Sequence, residues 1–175
     1  MNRMGLGALL LCCMLLAGGP LAAQRAGPEP VRRLLDGVRG ATAVQCELAL
    51  RSFNFWSDWD GRVPDRDETT VRLLRWAHGT QKDPAIVAPL AAGLRDNDAC
   101  VQRMAARLLG RTRVPAARAR LVEALRDRDA RIRVLGAVGL GYSDDKTAIP
   151  LLVQALKDGD PKVRAAAAWA LGAVH

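Results

Sequence analysis

The same residues return every 31 positions in the C-terminal half of this 175-residue chain. Asp98, Asp129 and Asp160 keep that step, and so do Leu94, Leu125 and Leu156. Asp96, Asp127 and Asp158 follow it, as do Val101, Ile132 and Val163, and Gly110, Gly141 and Gly172. Three units fall into register without a gap: 83–113, 114–144 and 145–175. A fixed period of this size marks a stacked array of small supersecondary units, each burying its apolar face on the next.

Each unit reads as two helices. The first is predicted over 84–95, 115–126 and 146–157, with Pro84 and Pro115 in the first turn, where a missing N–H is harmless. An acidic turn follows: Arg95-Asp96-Asn97-Asp98, Arg126-Asp127-Arg128-Asp129 and Lys157-Asp158-Gly159-Asp160. The second Asp of each turn is the natural N-cap of the next helix. That helix carries apolar residues at i, i+3, i+4, i+7 and i+8, as in Val101, Met104, Ala105, Leu108 and Leu109 or Val163, Ala166, Ala167, Ala170 and Leu171. The repeated glycines are expected to end the helix at C′. Aromatic residues are only 4% of the chain. That argues against a β-sandwich or barrel, whose strands lean on aromatic and β-branched side chains.

The string Asp-Pro-Lys-Val-Arg-Ala-Ala-Ala-Ala-Trp-Ala-Leu-Gly at 160–172 resembles a HEAT-like repeat, of the short type also found in phycobilin lyases. Residues 149–158 resemble its first helix, and the likeness extends over 83–175. The resemblance implies an all-α, right-handed α-solenoid of about four helix pairs with an N-terminal capping helix. It implies that the second helices line the concave face. It also implies that Arg133 and Arg164 stack with the turn aspartates, a link that Gln102 removes from the first unit. It is specific for fold and says little about function.

Upstream the pattern decays. Asp65, Asp67, Leu74 and Gly79 still hold the register, which predicts a second helix over 67–79. Its partner is placed at 41–54, followed by an inserted aromatic loop at 53–66, and a short helix at 31–39 would cap the open end of the array. Residues 24–82 thus form a cap and a degenerate first repeat.

The start of the chain reads as an address. Arg3 precedes an apolar run from Gly5 to Ala17; Gly18-Gly19-Pro20 breaks it, and Leu21-Ala22-Ala23 supplies small residues. Residues 1–23 are expected to be a secretory signal peptide cleaved near Ala23, giving a periplasmic or secreted protein with no stable membrane span. An uncleaved anchor is the alternative. Cleavage removes Cys12 and Cys13 and leaves Cys46 and Cys100. In an oxidising compartment these form one disulfide, or stay as two partly buried thiols.

Enzymatic chemistry finds little support. Beyond residue 23 there are two His, His78 and His175, and three Ser, and no paired His-Glu step of the kind that holds a di-iron site in some HEAT-like arrays. No metal site or cofactor is expected. Asp58-Trp59-Asp60-Gly61 is similar to a calcium loop but lacks the first-position acid, where Trp56 stands. Phe55, Trp56 and Trp59 of that loop either fold back as a plug or bind a partner.

The formal net charge is +8, and ten Arg against three acids lie between Arg103 and Arg133. Such density suits phosphate, but export argues against nucleic acid. Positions i+2 and i+6 of the second helices point away from the buried stripe. They are Arg72 and Trp76, Arg103 and Arg107, Val134 and Val138, and Ala165 and Trp169. Arg forks bind carboxylates and Trp adds stacking, so Arg72, Trp76, Arg103, Arg107 and Trp169 are the candidate partner-binding residues. Trp169 could equally just cover the C-terminal edge. The chain therefore reads as a non-catalytic protein-protein interaction scaffold of the cell envelope that binds an acidic partner or segment. The rival is an accessory or sensory component of an envelope enzyme system, or a metal-dependent activity at the 53–67 loop.

Overall fold

The computed structural model describes residues 28–52, 82–112 and 114–174. Among them are eight α-helices and no strand. These are α1 (Glu29–Gly37), α2 (Ala43–Ser52), α3 (Val87–Gly93), α4 (Ala99–Arg111), α5 (Pro115–Leu125), α6 (Ala130–Gly141), α7 (Ile149–Ala155) and α8 (Pro161–Ala173). Helices α3 and α7 each follow a single 3₁₀ turn, Pro84–Ile86 and Lys146–Ala148. The three units thus appear as the pairs α3/α4, α5/α6 and α7/α8. The second helices pack in sequence, α4 on α6 and α6 on α8, and each first helix packs on its own second helix.

The helix starts follow from local chemistry. The carboxylates of Asp98, Asp129 and Asp160 accept N–H groups of Cys100, Arg131 and Lys162 at 2.8, 2.9 and 2.7 Å, satisfying orphan donors of the first turn. The first Asp of each turn has a role that the spacing did not disclose. Asp96, Asp127 and Asp158 accept the N–H of Asp98, Asp129 and Asp160, which pins the turn. Asp83 and Asp145, in register with each other, cap the two 3₁₀ turns. At the same register the middle unit has Val114, which offers no side-chain cap, and its helix starts directly as α at Pro115.

A ladder of arginines joins the turns. Arg39 makes a two-pronged contact with Asp96 at 2.8 and 2.9 Å, Arg95 pairs with Asp127, and Arg133 grips Asp158 through two bonds of 2.8 Å. Gln102 keeps part of the work of its register. Its amide donates to the Asp96 carbonyl at 2.6 Å, as Arg133 does to Asp127 and Arg164 to Asp158. The amide carries no charge with which to hold the next turn, and Arg95 supplies that contact to Asp127 instead. Gly40, at φ +73°, aims its N–H at the Asp98 carboxylate, 2.8 Å away.

These bonds hold Asp96, Asp98, Asp127, Asp129 and Asp158 below the ordinary carboxylate range. The largest causes are Arg39 for Asp96, the Gly40 N–H for Asp98, the Asp129 N–H for Asp127, Arg131 for Asp129 and Arg133 for Asp158. A carboxylate depressed in the folded state stabilises above its unfolded pKa, and that contribution disappears as protons bind. Urea midpoints are therefore expected to be flat from neutral pH down to about 5 and to fall steadily below about 4. A midpoint that stayed level down to pH 2 would contradict this.

The core is one stripe along the array. Val101, Met104, Ala105, Leu108 and Leu109 are all buried, and so are Val163, Ala166, Ala167 and Ala170. The repeated glycines do not stop helices. Gly110 and Gly172 lie inside α4 and α8, Gly141 is the last residue of α6, and Gly40 is the only described glycine with positive φ. They permit contact instead. A Cβ on Gly110 would strike the Gly139 carbonyl oxygen, and one on Gly141 would sit 2.8 Å from the Ala170 Cα. Close passage of backbones, with no room for a methyl group, is what those positions require. At the outer face of α8, Gly172 has open space.

At the other end α1 buries Val31, Leu34 and Leu35 and packs on α3 and α4. Helix α2 opens with a reciprocal cap. Thr42 N–H donates to the Gln45 side chain at 2.9 Å and Gln45 N–H donates back to the Thr42 hydroxyl at 3.3 Å. It packs on α4, and a disulfide joins Cys46 to Cys100 with 5.7 Å between their Cα atoms. The expected helix at 67–79 and the loop at 53–66 lie outside the described residues.

Candidate functional site: a cationic groove

The second helices present one face away from the core. On it, Arg103 and Arg107 of α4, Val134 and Val138 of α6 and Trp169 of α8 line a cleft of about 350 Å³. The i+2, i+6 spacing therefore brings five of its candidates together. Arg72 and Trp76 lie outside the described residues, as do Phe55, Trp56 and Trp59. Ala165 is exposed on α8 and is not among the residues lining the cleft.

Five further lining residues were not among those candidates: Glu47, Leu50, Arg51, Leu135 and Tyr142. Glu47 and Arg51 come from α2, which lies outside the 31-residue register, so no repeat argument could place them. Tyr142 stands one residue past the repeated Gly141 and is the only Tyr of the chain, and that aromatic at the helix end was a signal that could have been followed. Its ring meets Trp169 edge-on, with centroids 5.0 Å apart and planes at 61°.

The two arginines differ in role. Arg103 has a half-exposed side chain and donates to Glu47 at 2.8 Å. Glu47 also accepts from Arg51 at 2.9 Å, and its carboxyl is held below the ordinary range, by Arg103 first and then by Arg51. Arg107 departs from the expectation of a presented fork. It is only 3% exposed. Its guanidinium carbon lies 4.4 Å from the centre of the Tyr142 ring, and Nη1 donates to the Tyr142 hydroxyl at 3.1 Å. Burial lowers its pKa from the usual guanidinium value. The cause is the short distance between α4 and the end of α6. The aromatic ring closes over the i+6 position and turns Arg107 into part of the groove floor.

A planar cation stacked on a ring cannot be replaced by a point charge without loss. Arg107→Lys is expected to lower stability by about 1–2 kcal/mol, read as a shift in urea midpoint at constant slope. An unchanged midpoint would show that the stack contributes nothing.

Chemically, the groove offers cations beside aromatic and aliphatic walls. That combination suits a carboxylate carried next to an apolar side chain. Among the described residues no cluster of three or more His, Cys, Asp or Glu is placed to hold a metal ion. No helix among them is long and apolar enough to cross a membrane.

Fold and groove together define an α-helical repeat array with a cleft along its second helices. Residues 120–175 match the family model for HEAT repeats, and residues 101–127 match that for the PBS lyase HEAT-like repeat. Residues 101–175 thus match HEAT-type repeats, a class of unit that suggests a protein-interaction scaffold. Comparison with curated proteins gives no match.

Proposed function

We propose that the chain is a non-catalytic interaction scaffold of the cell envelope that docks an acidic segment of a partner protein along the groove of α4, α6 and α8. The observation that carries this reading is the half-exposed Arg103 beside Trp169 and Tyr142, on a rigid floor of packed helices. Rigid helices present the cation without ordering cost, which favours binding. The pattern of residues 1–23 supports the envelope location, where a disulfide also persists. The concave, right-handed form of the array belongs to the same proposal.

The test uses a fluorescein-labelled oligoglutamate peptide and anisotropy at two salt concentrations. Charge reversal at Arg103 alone is the informative variant, because Arg107 is needed for packing. Arg103→Glu is expected to weaken binding about tenfold or more at low salt, and added salt is expected to weaken the parent chain toward it. Equal binding by both chains would refute the arginine groove.

A further inference from the structure

Glu47 is the one acid among the described residues lining the groove. It rests on Arg103, beside the rings that a partner's segment would meet, and makes there the bond that a partner's carboxylate would make. Helix α2 delivers it. That helix has ten residues, a length that is marginal in isolation. It buries Cys46 and Leu50, whereas Val44 and Leu48 on its other side are 70% and 62% exposed. Besides the main chain that leads in from α1, its covalent tie to the array is the Cys46–Cys100 bond, one residue before Glu47. Cys46 and Cys100 are each less than 5% exposed, at the α2–α4 contact.

We propose that α2 is a redox-latched internal plug. With the disulfide formed, Glu47 is held at high effective concentration on Arg103 and competes with an acidic partner for it. Transfer of two electrons and two protons from a dithiol breaks the Sγ–Sγ bond. Cys46 and Cys100 become thiols, and the dithiol becomes a cyclic disulfide. The Glu47–Arg103 pair is then an exposed ion pair on a short helix, which is a weak tie. The acidic segment displaces Glu47, and affinity rises. The inference rests on the groove reading above and adds its regulation.

The full chain is titrated with the oligoglutamate peptide before and after reduction by dithiothreitol, alongside the oxidised Glu47→Gln and Arg103→Glu variants. Glu47→Gln is expected to bind about two- to fivefold more tightly than the oxidised parent, the range that loss of an exposed ion-pair competitor allows. Reduction is expected to give a similar gain, and no further gain on Glu47→Gln. Circular dichroism checks that the reduced chain stays helical; if it does not, the oxidised Glu47→Gln result decides alone. Binding that depends on Arg103 but is unmoved or weakened by Glu47→Gln overturns the plug and leaves the groove standing. Absence of Arg103-dependent binding in every form overturns both.

Discussion

Replacing Gly110 with alanine is expected to destabilise the protein by at least about 2 kcal/mol, although alanine is the better helix former. Gly110 lies inside α4, where propensity alone predicts a gain of up to about 1 kcal/mol. The opposite sign follows from what the new methyl group would meet. It would fall on the Gly139 carbonyl oxygen of α6 and lie 2.8 Å from the Tyr142 Cβ. Both neighbours are main chain or fixed directly to it, so no side-chain rotation relieves the clash. Helices α4 and α6 must separate, and the stack of Arg107 on Tyr142 separates with them. Gly172 is the control, since it holds the same place in the third repeat and has open space around it. Gly172→Ala is expected to be neutral or stabilising by up to about 1 kcal/mol. Urea unfolding of the two variants measures both, and a mild Gly110→Ala would remove close helix approach from the account.

Cys46→Ser is expected to cost on the order of 4 kcal/mol. The two cysteines are separated by 54 residues, and closing a loop of that length removes much conformational freedom from the unfolded chain. The loss should appear as a lower urea midpoint and as a steeper dependence on denaturant, because the unfolded chain without its cross-link exposes more surface. The helices from α3 to α8 keep their own core, so α2 is the first element expected to lose protection from hydrogen exchange. A loss below about 1 kcal/mol would show that the unfolded chain is little constrained by the bond.

Much of the array could be read before any coordinates, and the reason is its one-dimensional build. Each repeat sees nearly the same neighbours, so Asp98, Asp129 and Asp160 had to cap and Val101, Met104 and Leu108 had to be buried. The i+2, i+6 rule located Arg103, Val134, Val138 and Trp169 for the same reason. What could not be read depends on distances between helices. Glycine in a repeat is compatible with a helix stop and with close packing, and only the Gly110–Gly139 approach separates the two. Arg107 looked presented because periodicity gives direction and not what covers the residue; Tyr142 covers it. Glu47 and Arg51 lie on a helix outside the period, so their place against Arg103 was invisible in the spacing.

The central claim is that Arg103 and Trp169 form one partner-binding face. Nuclear magnetic resonance of the ¹⁵N-labelled chain, titrated with the oligoglutamate peptide, tests it most directly. The account predicts that the Arg103 Nε–H and the Trp169 indole N–H signals move together and saturate with one affinity, while the Nε–H signals of Arg118, Arg126 and Arg128, which line a separate cleft on α5 and the turn after it, stay in place. Movement at Arg118, Arg126 and Arg128 with Arg103 and Trp169 unperturbed would contradict it.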